Sequence, residues 1–111
     1  MQIRKTYMEV NPELLYAEIR DFALKQGVSI GESSMETYTL PDQSADFISR
    51  GTLKFKCRGG EKECLEVHIV GSGRRETKLI FDIDEALFPQ EKISALQSDI
   101  DFIFGEYEVK E

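Results

Sequence analysis

Three successive stretches of the chain alternate strictly between apolar and polar residues, and this pattern leaves few folds open. From Phe47 to Cys57, one face takes Phe47, Ser49, Gly51, Leu53, Phe55 and Cys57, and the other takes Ile48, Arg50, Thr52, Lys54 and Lys56. From Cys64 to Val70, the residues Leu65, Val67 and Ile69 share a side; from Thr77 to Asp84, Thr77, Leu79, Phe81 and Ile83 do. A period of two is that of a half-buried strand. Three such strands, each with one apolar and one charged face, predict an antiparallel sheet covered on one side only.

The cover is legible at the C-terminus. Ile93, Leu96, Ile100, Ile103 and Tyr107 recur three or four residues apart, which is one face of an α-helix. Pro89 suits its start, and Phe102 and Phe104 widen its apolar stripe. Before the three strands come a first strand from Ile3 to Val10, a helix and a strand region from Val28 to Leu40. In the first strand Lys5 and Glu9 share a face with Ile3 and Tyr7, so its alternation is imperfect. Asn11 can cap the first helix, Pro12 fits its first position, and Glu13 favours the positive end of the helix dipole. Leu15, Ile19, Phe22 and Ala23 form its apolar face, and Gly27 ends it. The second strand should bend or bulge near Gly31. Pro41-Asp42-Gln43-Ser44, Gly59-Gly60 and Gly71-Ser72-Gly73 are turn chemistry. The element order is β-α-β-β-β-β-α. The chain thus reads as one α+β domain, residues 1–111, with its sheet packed on a long C-terminal helix.

A chain of 111 residues suffices for one core without staples. With 41% hydrophobic and 32% charged residues the composition is that of a folded domain. No apolar run approaches the ~20 residues that span a bilayer. The N-terminus has charge but no apolar run of the signal-peptide kind. The expectation is a cytoplasmic protein. The net charge of −7, from 21 acids and 14 bases, speaks against a duplex nucleic acid as partner. Arg74 and Arg75 fall in a turn and read as solvated residues.

Register follows from the apolar faces, because a slip of one residue inverts every side chain. Pairing Cys57 with Leu65 and Phe55 with Val67 keeps the apolar faces together. It turns Cys57 inward and Cys64 outward, opposite Arg58. Both thiols are then expected to be free. The same register sets Lys56 opposite Glu66 and Lys54 opposite His68, with Asp82 beside Glu66 and Asp84 beside Cys64. Cys64, Glu66 and His68 would share one face, and each can ligate a metal. Flanking lysines repel a cation, however, so the row reads as a solvated charge ladder and no metal site is expected.

Catalysis finds no foothold. There is one histidine, and no phosphate loop, nucleophile elbow or His-Glu-x-x-His pattern. Asp99 and Asp101 point to different helix faces. No catalytic residue and no cofactor is expected, and an enzyme is the less favoured reading.

The run from Val10 to Phe22, VNPELLYAEIRDF, leaves a strand through a small residue, Pro and an acid, and enters a helix ending in Asp plus an apolar residue. This run, with the element order and the long closing helix, resembles the helix-grip arrangement of the START-like and birch-pollen-allergen-like (SRPBCC) superfamily and, more broadly, TATA-binding-protein-like folds. Members are usually longer, with two short helices after the first strand and more strands, so this chain would be a small variant. The resemblance implies a cavity between sheet and final helix for an apolar or lipid-like molecule. Its wall would be Phe47, Phe55, Val67 and Phe81 with Ile100, Ile103 and Tyr107. The same residues can equally be plain core. The chain would then be an interaction module or homodimer, using an edge strand or the extra apolar residues Phe102 and Phe104.

Overall fold

Five strands form one antiparallel sheet in the order β1-β5-β4-β3-β2, and two helices cover one of its faces. The strands are β1 (Gln2–Met8), β2 (Ser29–Thr39), β3 (Phe47–Lys56), β4 (Glu63–Ser72) and β5 (Glu76–Ile83); the helices are α1 (Pro12–Lys25) and α2 (Gln90–Phe104). A short 3-10 turn, Gly105–Tyr107, follows α2. This computed structural model describes residues 1–39, 47–57, 60–72 and 75–109. The turn expected at Pro41-Asp42-Gln43-Ser44, and Leu40, Arg58, Gly59, Gly73 and Arg74, lie outside the described residues.

Local chemistry explains both ends of α1 and the turn into α2. The Asn11 side chain accepts hydrogen bonds from the Glu13 and Leu14 amides at 2.8 and 3.4 Å, which opens α1. Gly27, at φ +84°, takes the left-handed conformation that closes it. The turn between β5 and α2 is held by Asp84, whose side chain accepts from the Ala86 amide at 3.1 Å and whose carbonyl accepts from the Phe88 amide at 2.8 Å.

The strands from β3 to β5 form a meander, and their apolar residues face the helices. Leu53, Phe55, Leu65, Val67, Ile69, Leu79 and Phe81 join Leu15, Ile19 and Phe22 of α1 and Ile93, Leu96 and Ile100 of α2 in one core. Two glycines seat α1 on the sheet. A Cβ at Gly71 would lie 2.6 Å from Pro12 Cγ, and one at Gly51 would lie 2.8 Å from Tyr16 Cδ2. The helix rests where β3 and β4 have no side chain.

The expected register needs correction. Phe55 pairs with Leu65 and Leu53 with Val67, two residues away from the pairing of Cys57 with Leu65 and Phe55 with Val67. Facing is preserved, because a shift of two keeps every side chain on its face. A bulge between Phe55 and Lys56 then pairs Lys56 with Glu63 and leaves Cys64 as the extra residue of β4. The bulge turns Cys64 inward: it is buried, not exposed, while Cys57 is half-buried. Both thiols are free. The irregularity expected near Gly31 lies between Ile30 and Glu32.

The α2 stripe also differs. Ile93, Leu96, Ile100 and Phe104 are buried, whereas Ile103 and Tyr107 are exposed. Both Ile103 and Phe104 fit helical spacing from Ile100; the Phe104 ring wins the inward position by meeting Tyr7 edge-on, with centroids 6.2 Å apart.

Candidate functional site

The seven residues expected to line a ligand fall into three places. Phe55, Val67 and Phe81 come from β3, β4 and β5, and Ile100 descends on them from α2. Each is at most 1% exposed, and all belong to the one apolar core. Ile103 and Tyr107 stand at the surface near the C-terminal end of α2. Phe47, on the inward parity of β3, is 36% exposed.

Phe47 borders an open cleft of ≈ 710 Å³. Val10, Pro12 and Phe47 give it apolar walls, and Thr37, Ser49 and Ser72 add hydroxyls. Glu9 and Arg75 stand at its side, joined by a 3.2 Å ion pair and by a 2.7 Å hydrogen bond from the Glu9 amide to the Arg75 carbonyl. Both adopt positive φ, 63° and 66°, which is uncommon for residues with a side chain. The sequence offered no signal for this pair.

The opposite face of the sheet is open and organised in rows. Gln2, Asp82, Glu66, Lys54 and Glu32 stand in register across all five strands. Lys54, not Lys56, is therefore the residue opposite Glu66, and Thr52, not Lys54, stands opposite His68. Asp82 lies beside Glu66 as expected. Lys54 Nζ pairs with Glu32 at 3.4 Å. His68 Nε2 and Glu66 Oε1 are 2.7 Å apart. With Cys64 turned to the other face, the Cys64–Glu66–His68 constellation is broken up.

The inner face of β1 carries a cluster that the sequence marked only as a fault in alternation. Lys5 points inward between Ile3 and Tyr7 and meets Asp101 of α2 and Glu108. Burial pulls the Lys5 ammonium down, but the two carboxylates outweigh it and hold it above its usual range. Next to it the Tyr7 hydroxyl is buried and has no hydrogen-bond partner among the described residues. Burial first, and the Glu108 and Asp101 charges second, keep that phenol protonated. The Val109 amide donates to the Thr6 carbonyl at 2.8 Å, so residues after α2 return along β1.

The largest exposed side chain on α2 is Phe102, 91% accessible, between buried Ile100 and buried Phe104. Phe102 and Phe104 both widen the apolar stripe in the sequence; the structure sends one to solvent and one to the core. Among the described residues no helix is long and apolar enough to cross a membrane. No family model and no curated protein matches the chain.

Proposed function

We propose that this chain is a non-enzymatic, cytoplasmic interaction module that associates with a second copy of itself through the C-terminal end of α2. One observation carries the reading: Phe102 stands 91% exposed, while Phe55, Val67, Phe81 and Ile100, the four expected ligand-wall residues that lie between sheet and helix, are at most 1% exposed. An apolar molecule between sheet and helix would have to displace Phe55, Val67, Phe81 and Ile100 from close packing. Ile103 and Tyr107, four residues apart, are further exposed apolar side chains on the same short stretch. A closed homodimer uses one such patch twice. Free thiols suit a reducing compartment. A helix-grip origin is supported by the strand order, in which the first strand borders the last and the closing helix packs on the inner face.

A second reading rests on the cleft beside Phe47. Its ≈ 710 Å³ falls within the range of small-molecule sites, and its mixed apolar and hydroxyl walls suit a small amphiphile.

Sedimentation velocity over a concentration series separates the two. The interaction reading expects a dimer in the wild type and a monomer in Phe102→Glu, with unchanged unfolding. A wild type that stays monomeric yet binds a fluorescent fatty-acid-like probe would overturn it in favour of the ligand reading.

A further inference from the structure

The bulge that ends the β3–β4 pairing brings two thiols to the same side of the sheet. Cys64 is the extra residue of β4 at the bulge, which sends its side chain inward. Cys57, just beyond the end of β3, also packs against the core. The Cys57 Sγ donates to the Leu87 carbonyl at 3.0 Å, in the turn before α2. The Cys64 carbonyl accepts from the Asp84 amide at 3.0 Å in the same turn, so both cysteines are anchored to one place from adjoining strands of the hairpin, one half-buried and one 1% exposed.

We propose that Cys57 and Cys64 are a redox site: hydrogen peroxide converts them into a reversible intramolecular disulfide, with Cys57 reacting first and Cys64 resolving. In the first step the Cys57 sulfur, as its thiolate, attacks one peroxide oxygen. The O–O bond breaks, the leaving oxygen takes a proton and departs as water, and Cys57 becomes a sulfenic acid. In the second step the Cys64 sulfur attacks the Cys57 sulfur. The S–O bond breaks, the hydroxyl leaves as a second water with the Cys64 proton, and the S–S bond forms. The two thiols give up two electrons and two protons, and hydrogen peroxide receives both.

The order of reaction follows from access. Cys57 is the more open sulfur, and the thiolate is the reacting species. Burial, together with the neighbouring Cys57 thiol, pushes Cys64 up to about 12, so Cys64 is a poor first nucleophile. Oxidation also removes the Cys57 hydrogen bond to Leu87, which loosens one tie between the β3–β4 hairpin and the turn into α2. In a reducing compartment such a disulfide is transient, as sensing disulfides are.

The test treats folded wild type with hydrogen peroxide, alkylates the remaining thiols after unfolding, and measures intact mass. The expected product is monomeric, lighter by two hydrogens, unalkylated at both cysteines, and restored by dithiothreitol. Peptide mapping should find Cys57 joined to Cys64. In Cys64→Ser, Cys57 should instead be trapped as a sulfenic acid by dimedone. In Cys57→Ser, oxidation of Cys64 should be slower by on the order of tenfold or more. The wild-type mass alone decides if a variant fails to fold. Two alkylatable thiols after peroxide treatment, a disulfide-linked dimer, or accumulation of sulfinic acid at Cys57 in the wild type would each overturn the proposal.

Discussion

Lys5 Nζ lies 3.0 Å from Asp101 Oδ1, so the first strand and the last helix, 96 residues apart in sequence, are tied by one ion pair. Glu108 accepts from the same ammonium at 3.3 Å. The Lys5 side chain is only 12% exposed, while Asp101 is 52% exposed. The pair therefore closes the long loop of the chain with one partner desolvated and the other in water.

Replacing Lys5 by Met should cost roughly 1–2 kcal/mol, the range for hydrogen bonds to a charged group reduced for the open side of Asp101. The loss should depend on pH. Folding holds the Lys5 ammonium above its ordinary value of 10.5. Its contribution is thus complete below pH 10.5 and fades as pH rises through the folded value. Urea melts at pH 7 and pH 11 check this: the wild type should exceed Lys5→Met at the lower pH, with the gap narrowing at the higher.

Gly71→Ala should destabilise by about 1–3 kcal/mol, as overpacking does. The added Cβ would meet the Pro12 ring 2.6 Å away, and that ring is fixed to the α1 backbone. Gly51→Ala meets Tyr16, whose ring can turn aside, so its cost should be smaller. Thermal melts of both variants give the ranking; equal losses would mean that α1 does not rest on β4 as described.

Asn11→Ala removes the acceptor for the Glu13 and Leu14 amides. The expected loss is about 1 kcal/mol in a denaturant melt, with Asn11→Asp close to wild type.

The inward set of the meander was readable because strand period alone decides it: Leu53, Phe55, Val67, Ile69, Leu79 and Phe81 all face the core. Register was not, since pairing Phe55 with Leu65 or with Val67 gives the same faces. The bulge that chose between them leaves no mark in apolar periodicity, and it alone moved Cys64 indoors. On α2, spacing could not separate Ile103 from Phe104; the position of Tyr7 across the core did. Lys5 was visible as an anomaly whose partners, Asp101 and Glu108, only the fold brings near. The cleft beside Phe47 was out of reach because Val10, Phe47 and Arg75 come from three separate segments.

Phe55→Ala and Phe81→Ala decide whether the inner face is packing or a ligand wall. Both rings are at most 1% exposed and belong to the same core as Ile100. Removal of a fully packed Phe costs roughly 3–5 kcal/mol, because the transfer energy of the ring is lost and a cavity remains. A ring that borders open space has fewer contacts to lose, and its removal costs clearly less. Each variant should therefore lose the full core-sized amount in a urea melt, and the wild type should not bind a fluorescent fatty-acid-like probe at this place. The cavity left in Phe81→Ala serves as a control: a probe that enters only the variant marks the space that the native ring fills. Small losses in both variants, with saturable probe binding to the wild type that either substitution abolishes, would return the inner face to a ligand.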